Sequence, residues 1–189
     1  MSTSSTPSAR VLRSDAEQNR ARIVSIARQA FADDSATTMQ AIARAAGVGQ
    51  GTLYRRFPTR ESLLAEVYRD EFDGLLVTAR RLLDEHEHDP VVALRRWFDV
   101  LASFGRMKHA LADVLDAVTR SDLHDEQYDR ILAVVDDLLQ AGKDAGQVRP
   151  DIAPDEVFPL LSFLWHLEPK SDARTAHLLD LVVDSLRRR

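Results

Sequence analysis

Between residues 38 and 57 the apolar positions fall into two short helical blocks separated by glycines. Ile42, Ala43 and Ala46 form a narrow apolar stripe at i, i+1 and i+4. Gly47-Val48-Gly49 interrupts it, with Gly47 suited to the positive φ that a sharp helix exit needs. Val48 and Leu53 supply the facing apolar contacts, and Gln50, Thr52, Tyr54, Arg55 and Arg56 fill the rest of the second block. The spacing predicts a helix over Met39–Ala46, a tight turn, and a second helix over Gln50–Phe57. Those lengths and that punctuation are those of a helix-turn-helix, whose second helix is sized for the DNA major groove.

The remaining pattern is helical throughout. Residues 1–13 are Ser/Thr-rich and read as a disordered tail, in which Arg10 and Arg13 are either a minor-groove arm or, more plainly, solvated. Ser14-x-x-Glu17 reads as a capping box opening the first helix, whose core stripe is Ile23, Ala27, Ala30 and Phe31 and which Asp33-Asp34-Ser35 ends. Thr38 caps the next helix; Thr59, with Glu61 in the first turn, caps a long helix from Arg60 to about Leu83. Asp89-Pro90 opens a fifth helix carrying Val91, Leu94, Trp97, Phe98, Leu101 and Phe104, which Gly105 is expected to break. Met107, Leu111, Val114, Leu115 and Val118 mark a sixth helix, and Ile131, Val135, Leu138 and Leu139 a seventh that stops near Gly146. Pro154 opens an eighth and Glu168-Pro169 closes it; Leu179, Val182, Val183 and Leu186 mark a ninth. The fold class is therefore all-α with about nine helices: the tail, a DNA-binding domain over 14–64, and a second helical domain over 65–189.

The eighth helix is apolar on every side: Val157, Phe158, Leu160, Leu161, Phe163, Leu164, Trp165 and Leu167 leave almost no polar face. Its own domain covers one side and a second subunit is the natural cover for the other, with Pro159 expected to kink it or delay its start.

Composition is ordinary for a soluble chain, with 44% hydrophobic and 29% charged residues. No apolar run approaches a membrane span, the N-terminus lacks the apolar core of a signal peptide, and there is no cysteine; a cytoplasmic location is expected. Net charge is −5, which alone argues against nucleic acid, but its distribution reverses that. Residues 1–70 carry ten arginines against seven carboxylates, a balance of +3, and residues 71–189 carry −8. The positive part coincides with the helix-turn-helix.

Candidate catalytic chemistry is thin. There is no nucleophile elbow, phosphate-binding loop or dinucleotide fingerprint, so no enzyme and no cofactor is expected. His86-Glu87-His88-Asp89 invites a metal reading, yet residues two apart on a helix do not share a face and the run precedes a proline, so a solvated loop is the better reading. His109, His124 and His177 are expected at the surface, and His166 as a satisfied buried residue.

The run from Ala21 to Leu64 resembles the TetR family of bacterial transcriptional regulators. It is carried by Ile23, Ala27, Phe31, Thr37-Thr38, Ile42-Ala43, Ala46-Gly47-Val48, Gly51-Thr52-Leu53-Tyr54, Phe57, Glu61 and Leu63. The resemblance covers about a third of the chain. It implies a ligand-responsive regulator, most often a repressor, acting as a C2 dimer joined by its last two helices (about 154–188) on palindromic double-stranded DNA. Gln50, Thr52 and Leu53 are then expected to meet base edges, with Gly51 among the DNA-binding residues, and Thr38, Tyr54, Arg56 and Arg60 to hold phosphates, with Arg55 in either role or solvated. Gly49 stands where the family usually has a serine, which removes a cap hydroxyl; Arg56 stands for a histidine, and Arg60 for a frequent lysine. The resemblance also implies that the second domain, 65–189, serves effector binding and dimerisation, with an effector cavity among its helices for which Trp97, Phe98, Phe104, Tyr128, Phe163 and Trp165 are the lining candidates beside a plain core reading. The effector's identity is left open. Two other classes stand beside this one: a dimeric DNA-binding protein whose second domain only dimerises, and an enzyme for which the sequence offers no converging side chains.

Overall fold

The computed structural model describes the backbone of residues 7–34, 36–112, 117–165 and 172–188, and side chains over 17–34, 36–105, 126–164 and 172–188. Within these the elements are α1 Pro7–Asp33, α2 Met39–Ala45, α3 Gln50–Arg56, α4 Arg60–Glu85, α5 Pro90–Ala112, α6 Ala117–Asp144, α7 Pro154–Leu160, a 3-10 turn Ser162–Trp165, and α8 Asp172–Leu186. The fold is all-α. The chain divides into two compact units, Met1–Asp70 and Glu71–Arg189, and α4 runs through the division.

The first unit is organised by short loops that satisfy their own polar groups. Beyond α1, the Asp34 carboxylate accepts from Ala36 N at 2.8 Å, and the Thr37 hydroxyl donates to the Ala30 carbonyl at 3.2 Å. Thr38, extended at φ −85, ψ 152, caps α2. Gly47 takes φ +65, where a side chain would be strained, and Val48 N then closes the turn on the Ala43 carbonyl at 3.0 Å. Helices of seven residues are not stable alone in water. Burial supplies what is missing: Ile23, Val24 and Ala27 of α1, Met39, Ile42 and Ala43 of α2, Leu53 of α3, Phe57, and Leu63 and Val67 of α4 form one core.

The second unit packs the later turns of α4 with α5–α8. The Trp97 indole is fully buried and donates to the Leu75 carbonyl at 3.0 Å, so the α5–α4 contact is both apolar and hydrogen-bonded. Arg95 ties α5 to α8 by donating to Asp180 Oδ1 at 2.6 Å and to the Ala176 carbonyl at 3.1 Å. One end of the unit is clasped. Gly146, at φ +69, turns the chain out of α6, and Val148 pairs with Arg187 in an antiparallel bridge. The Gln147 side chain accepts from Val91 N at 3.3 Å, and Arg149 N donates to the Leu186 carbonyl at 2.9 Å. Gly142 makes the clasp possible, because a Cβ there would lie 2.4 Å from Val148 Cγ2.

Three sequence expectations change. α1 begins at Pro7, ahead of the Ser14 capping box, so residues 7–13 of the expected tail are helical; proline has no N–H to lose in a first turn. Gly105 does not break α5, which continues to Ala112: a single helical glycine costs only about 1 kcal/mol, and the buried Leu101, Ala102 and Phe104 hold the turn that leads into it. Two expected helices are thereby redrawn as the end of α5 and one long α6, which leaves eight helices among the described residues. The eighth expected helix is split: α7 ends at Leu160, one residue past Pro159, and a 3-10 turn follows. Pro159 has no N–H to bond back along the helix. The closing Glu168-Pro169, Val114 and Leu115 lie outside the described residues, as do the side chains of Met107, Leu111, Val118, His109, His124 and His166.

Candidate nucleic-acid interface

α2 and α3 meet across the Gly47-Val48-Gly49 turn, and the core beneath fixes which side of α3 faces out. Leu53 is 0% exposed, enclosed with Ile42, Ala43 and Phe57. This corrects the expectation that Leu53 meets base edges: the side chain belongs wholly to the core, and withdrawing it would open that core to water. Gln50, Gly51, Thr52, Tyr54, Arg55 and Arg56 are all exposed. Gly49 caps α3 without a side-chain hydrogen bond.

Thr38 is exposed, and its hydroxyl accepts from Ala41 N at 3.2 Å, leaving its O–H free to donate. Arg60 is drawn inward. Its guanidinium lies 4.6 Å from the Phe31 ring centroid, and Nη1 donates to the Thr37 carbonyl. Arg60 thus holds the loop before α2 against the start of α4. Thr59 and Ser62 cap α4 reciprocally, Ser62 N donating to Thr59 Oγ1 at 3.1 Å and Thr59 N to Ser62 Oγ at 3.2 Å.

The charge on this surface is of one sign. Neither α2 nor α3 contains a carboxylate, and Arg44, Arg55 and Arg56 stand exposed in their last turns. Behind them Arg20 bonds Glu66, which also faces Arg69 at 3.8 Å. Tyr68 is buried, and desolvation pushes its phenol up to about 12, so it stays neutral in any ordinary buffer.

In the second unit the expected effector-lining residues separate. Trp97 and Phe98 are fully buried, with ring centroids 6.1 Å apart, and act as framework. Phe104 packs on Phe72 at 5.8 Å, and the Arg130 guanidinium lies 5.4 Å from the Phe72 centroid while Nη2 donates to Asp73. Tyr128, 41% exposed, lies 6.3 Å from Phe158. Phe163 is half-buried, and the Trp165 side chain lies outside the described residues. Two residues of this region escaped the sequence reading. Phe72 heads an α4 stripe with Leu75, Ala79 and Leu82, whose spacing was visible. Gln127, 5% exposed, stands four residues before Ile131 on the buried face of α6, a polar residue in a core stripe. Among the described residues no group of three His, Asp or Glu side chains is placed to hold a metal, and no helix is long and apolar enough to cross a membrane.

Residues 23–67 match the family model described as bacterial regulatory proteins of the tetR family, and residues 89–188 match the C-terminal domain of SbtR-like transcriptional regulators. The chain is 33% identical over 152 residues to the HTH-type transcriptional repressor KstR2 of Mycolicibacterium smegmatis, a match covering 74% of this chain and 72% of that protein. A crystal structure of the TetR transcriptional regulator SCO0520 from Streptomyces coelicolor superposes with a TM-score of 0.75 at 36% identity, covering 89% of this chain and 98% of that one. A TetR regulatory protein from Mycobacterium vanbaalenii superposes with a TM-score of 0.70 at 31% identity, covering 94% and 99% respectively.

Proposed function

The chain belongs to the TetR family of DNA-binding transcriptional regulators, and on that premise we propose that it is a dimeric repressor released from a palindromic operator by a small molecule. The observation that carries the DNA half is the exposed, carboxylate-free face of α3, seated on its core by Leu53. Gln50 and Thr52 lie in its first turn, from which recognition helices contact base edges. Gln pairs with adenine, and the Thr methyl packs on thymine. Thr38, Tyr54, Arg56 and Arg60 flank the helix and hold phosphates. Repression is the activity named for the KstR2 relative.

Dimerisation is assigned to α7 and α8, which leave Leu160 and Leu181 at 41% and 52% exposure. In a two-fold dimer the two α3 helices enter the major groove about one turn apart, roughly 34–36 Å. Release works through α4, which is one continuous helix from Arg60 to Glu85. A ligand seated against Phe104, Tyr128 and Phe163 displaces the later turns of α4, and the spacing of the recognition helices changes. The ligand must bind the released state better than the DNA-bound one, and the coupling is reciprocal, typically about 1–3 kcal/mol.

The complete burial of Trp97 and Phe98 favours a second reading, in which Glu71–Arg189 is a dimerisation module with no effector. Selection of duplexes from a random pool, then a thermal-shift screen with DNA competition, tests both. The proposal expects a palindrome bound by a dimer, and at least one compound that raises the melting temperature and lowers DNA affinity by the same factor that DNA lowers its own. A palindrome with no compound of that kind leaves the dimerisation module as the correct reading.

A further inference from the structure

The polar face of α3 is not uniform, and its geometry singles out two of its residues. At about 100° per residue, Gly51 and Arg55 each lie about 160° from Leu53, on either side of the direction opposite the core. Gln50 and Arg56 lie only about 60° from Leu53, and Tyr54 and Thr52 about 100° from it, so they flank the helix. The outermost ridge of α3 is therefore a glycine followed four residues later by an arginine. Among the described residues Arg55 has no ion-pair or hydrogen-bond partner, whereas Arg60 is engaged on Phe31 and Thr37.

Gly51 adds an independent observation. It is exposed, its φ is not positive, and a Cβ built there meets nothing within 4 Å. Nothing inside the fold requires glycine at this position, and glycine weakens a helix relative to alanine. A seven-residue helix that carries an unneeded glycine on its outermost ridge has an external reason for it: close approach of another surface to the backbone.

We propose that Arg55 reads a guanine in each operator half-site, its guanidinium fork donating to O6 and N7, and that Gly51 lets α3 approach closely enough for it to do so. The proposal rests on the reading that α3 enters the major groove. It makes a G·C pair under the centre of the recognition helix the strongest position of each half-site, with Gln50 and Thr52 reading beside it.

The test is a randomised-operator selection, followed by affinities at several salt concentrations, on the full chain and on Arg55→Ala, Arg55→Lys and Gly51→Ala. Arg55→Ala is expected to lower affinity for the selected operator roughly ten- to a hundredfold and to flatten preference at one G·C position per half-site, with other positions intact. Arg55→Lys keeps the charge without the planar fork, so it should lose most of that guanine preference. Gly51→Ala should leave the thermal midpoint unchanged or raised while weakening operator binding at least tenfold, a split that misfolding does not give. If Arg55→Ala weakens every sequence alike and lowers the salt slope by about one per contact, Arg55 is a phosphate ligand and the proposal is overturned. Unchanged affinity in Arg55→Ala, or in Gly51→Ala, overturns it too. If the unmodified chain selects no operator, the major-groove reading itself has failed, and that outcome is distinct from both.

Discussion

α3 and α7 are both seven residues long, and neither would be helical in isolation. Each borrows stability from its neighbours, α3 through Leu53 and α7 through Val157, with Leu161 just beyond it. They differ in what they leave outside. α3 turns out a glycine, polar side chains and two arginines; α7 turns out Asp155 and Glu156 in its first turn and Leu160 at its end, where Pro159 interrupts its course. The same length and the same dependence on packing thus serve opposite purposes. A basic outer face on a borrowed helix presents donors to something charged, whereas an acidic start and a leucine end leave one apolar spot for a partner to cover.

The comparison breaks first at Leu53. Leu53→Ala should destabilise the first unit by about 2–5 kcal/mol through lost burial and the cavity left behind, with operator binding lost in parallel. Urea unfolding followed by a probe in that unit measures it; a cost below about 1 kcal/mol would mean α3 is not anchored by this residue. Next comes the apolar face. Leu160→Glu combined with Leu181→Glu should leave the fold intact, since both side chains are exposed in the single chain. Dimer affinity should fall at least tenfold, or roughly 1.4 kcal/mol. Sedimentation equilibrium reads this directly, and an unchanged dimer would place the interface elsewhere. The smallest effect is expected at the α3 cap. Gly49 has φ −65 and room for a side chain, its nearest neighbour being Thr52 Oγ1 at 4.0 Å. Gly49→Ser should stabilise the first unit by a few tenths of a kcal/mol, measured by thermal denaturation.

Legibility along the sequence followed the range of the interactions. Thr38, Gly47, Thr59 and the Asp89-Pro90 start were legible because each acts within about one turn of its own position. The start of α1 at Pro7 and the passage of α5 through Gly105 were not, because a capping box and a glycine are weak local signals that a helix can run through. The inward fold of Arg60 onto Phe31 joins residues 29 apart, and no local pattern announces it. Leu53 was read both as core and as a base contact, and only its complete burial decides between them. The charge reversal between the two parts of the chain was legible early, since it is a property of sequence alone.

The clasp at one end of the second unit has a consequence for synthesis. It joins Val91 to Gln147, Arg149 to Leu186, and Val148 to Arg187, so its pins span segments of very different lengths. A chain emerging from the ribosome finishes α5 and α6 well before it can close the last two pins, because their partners at 186 and 187 are made about forty residues later than the end of α6. The core of the first unit, from Ile23 to Val67, is complete in the chain much earlier. A nascent chain therefore holds its α5–α6 pair unclasped until the segment around Leu186 and Arg187 arrives.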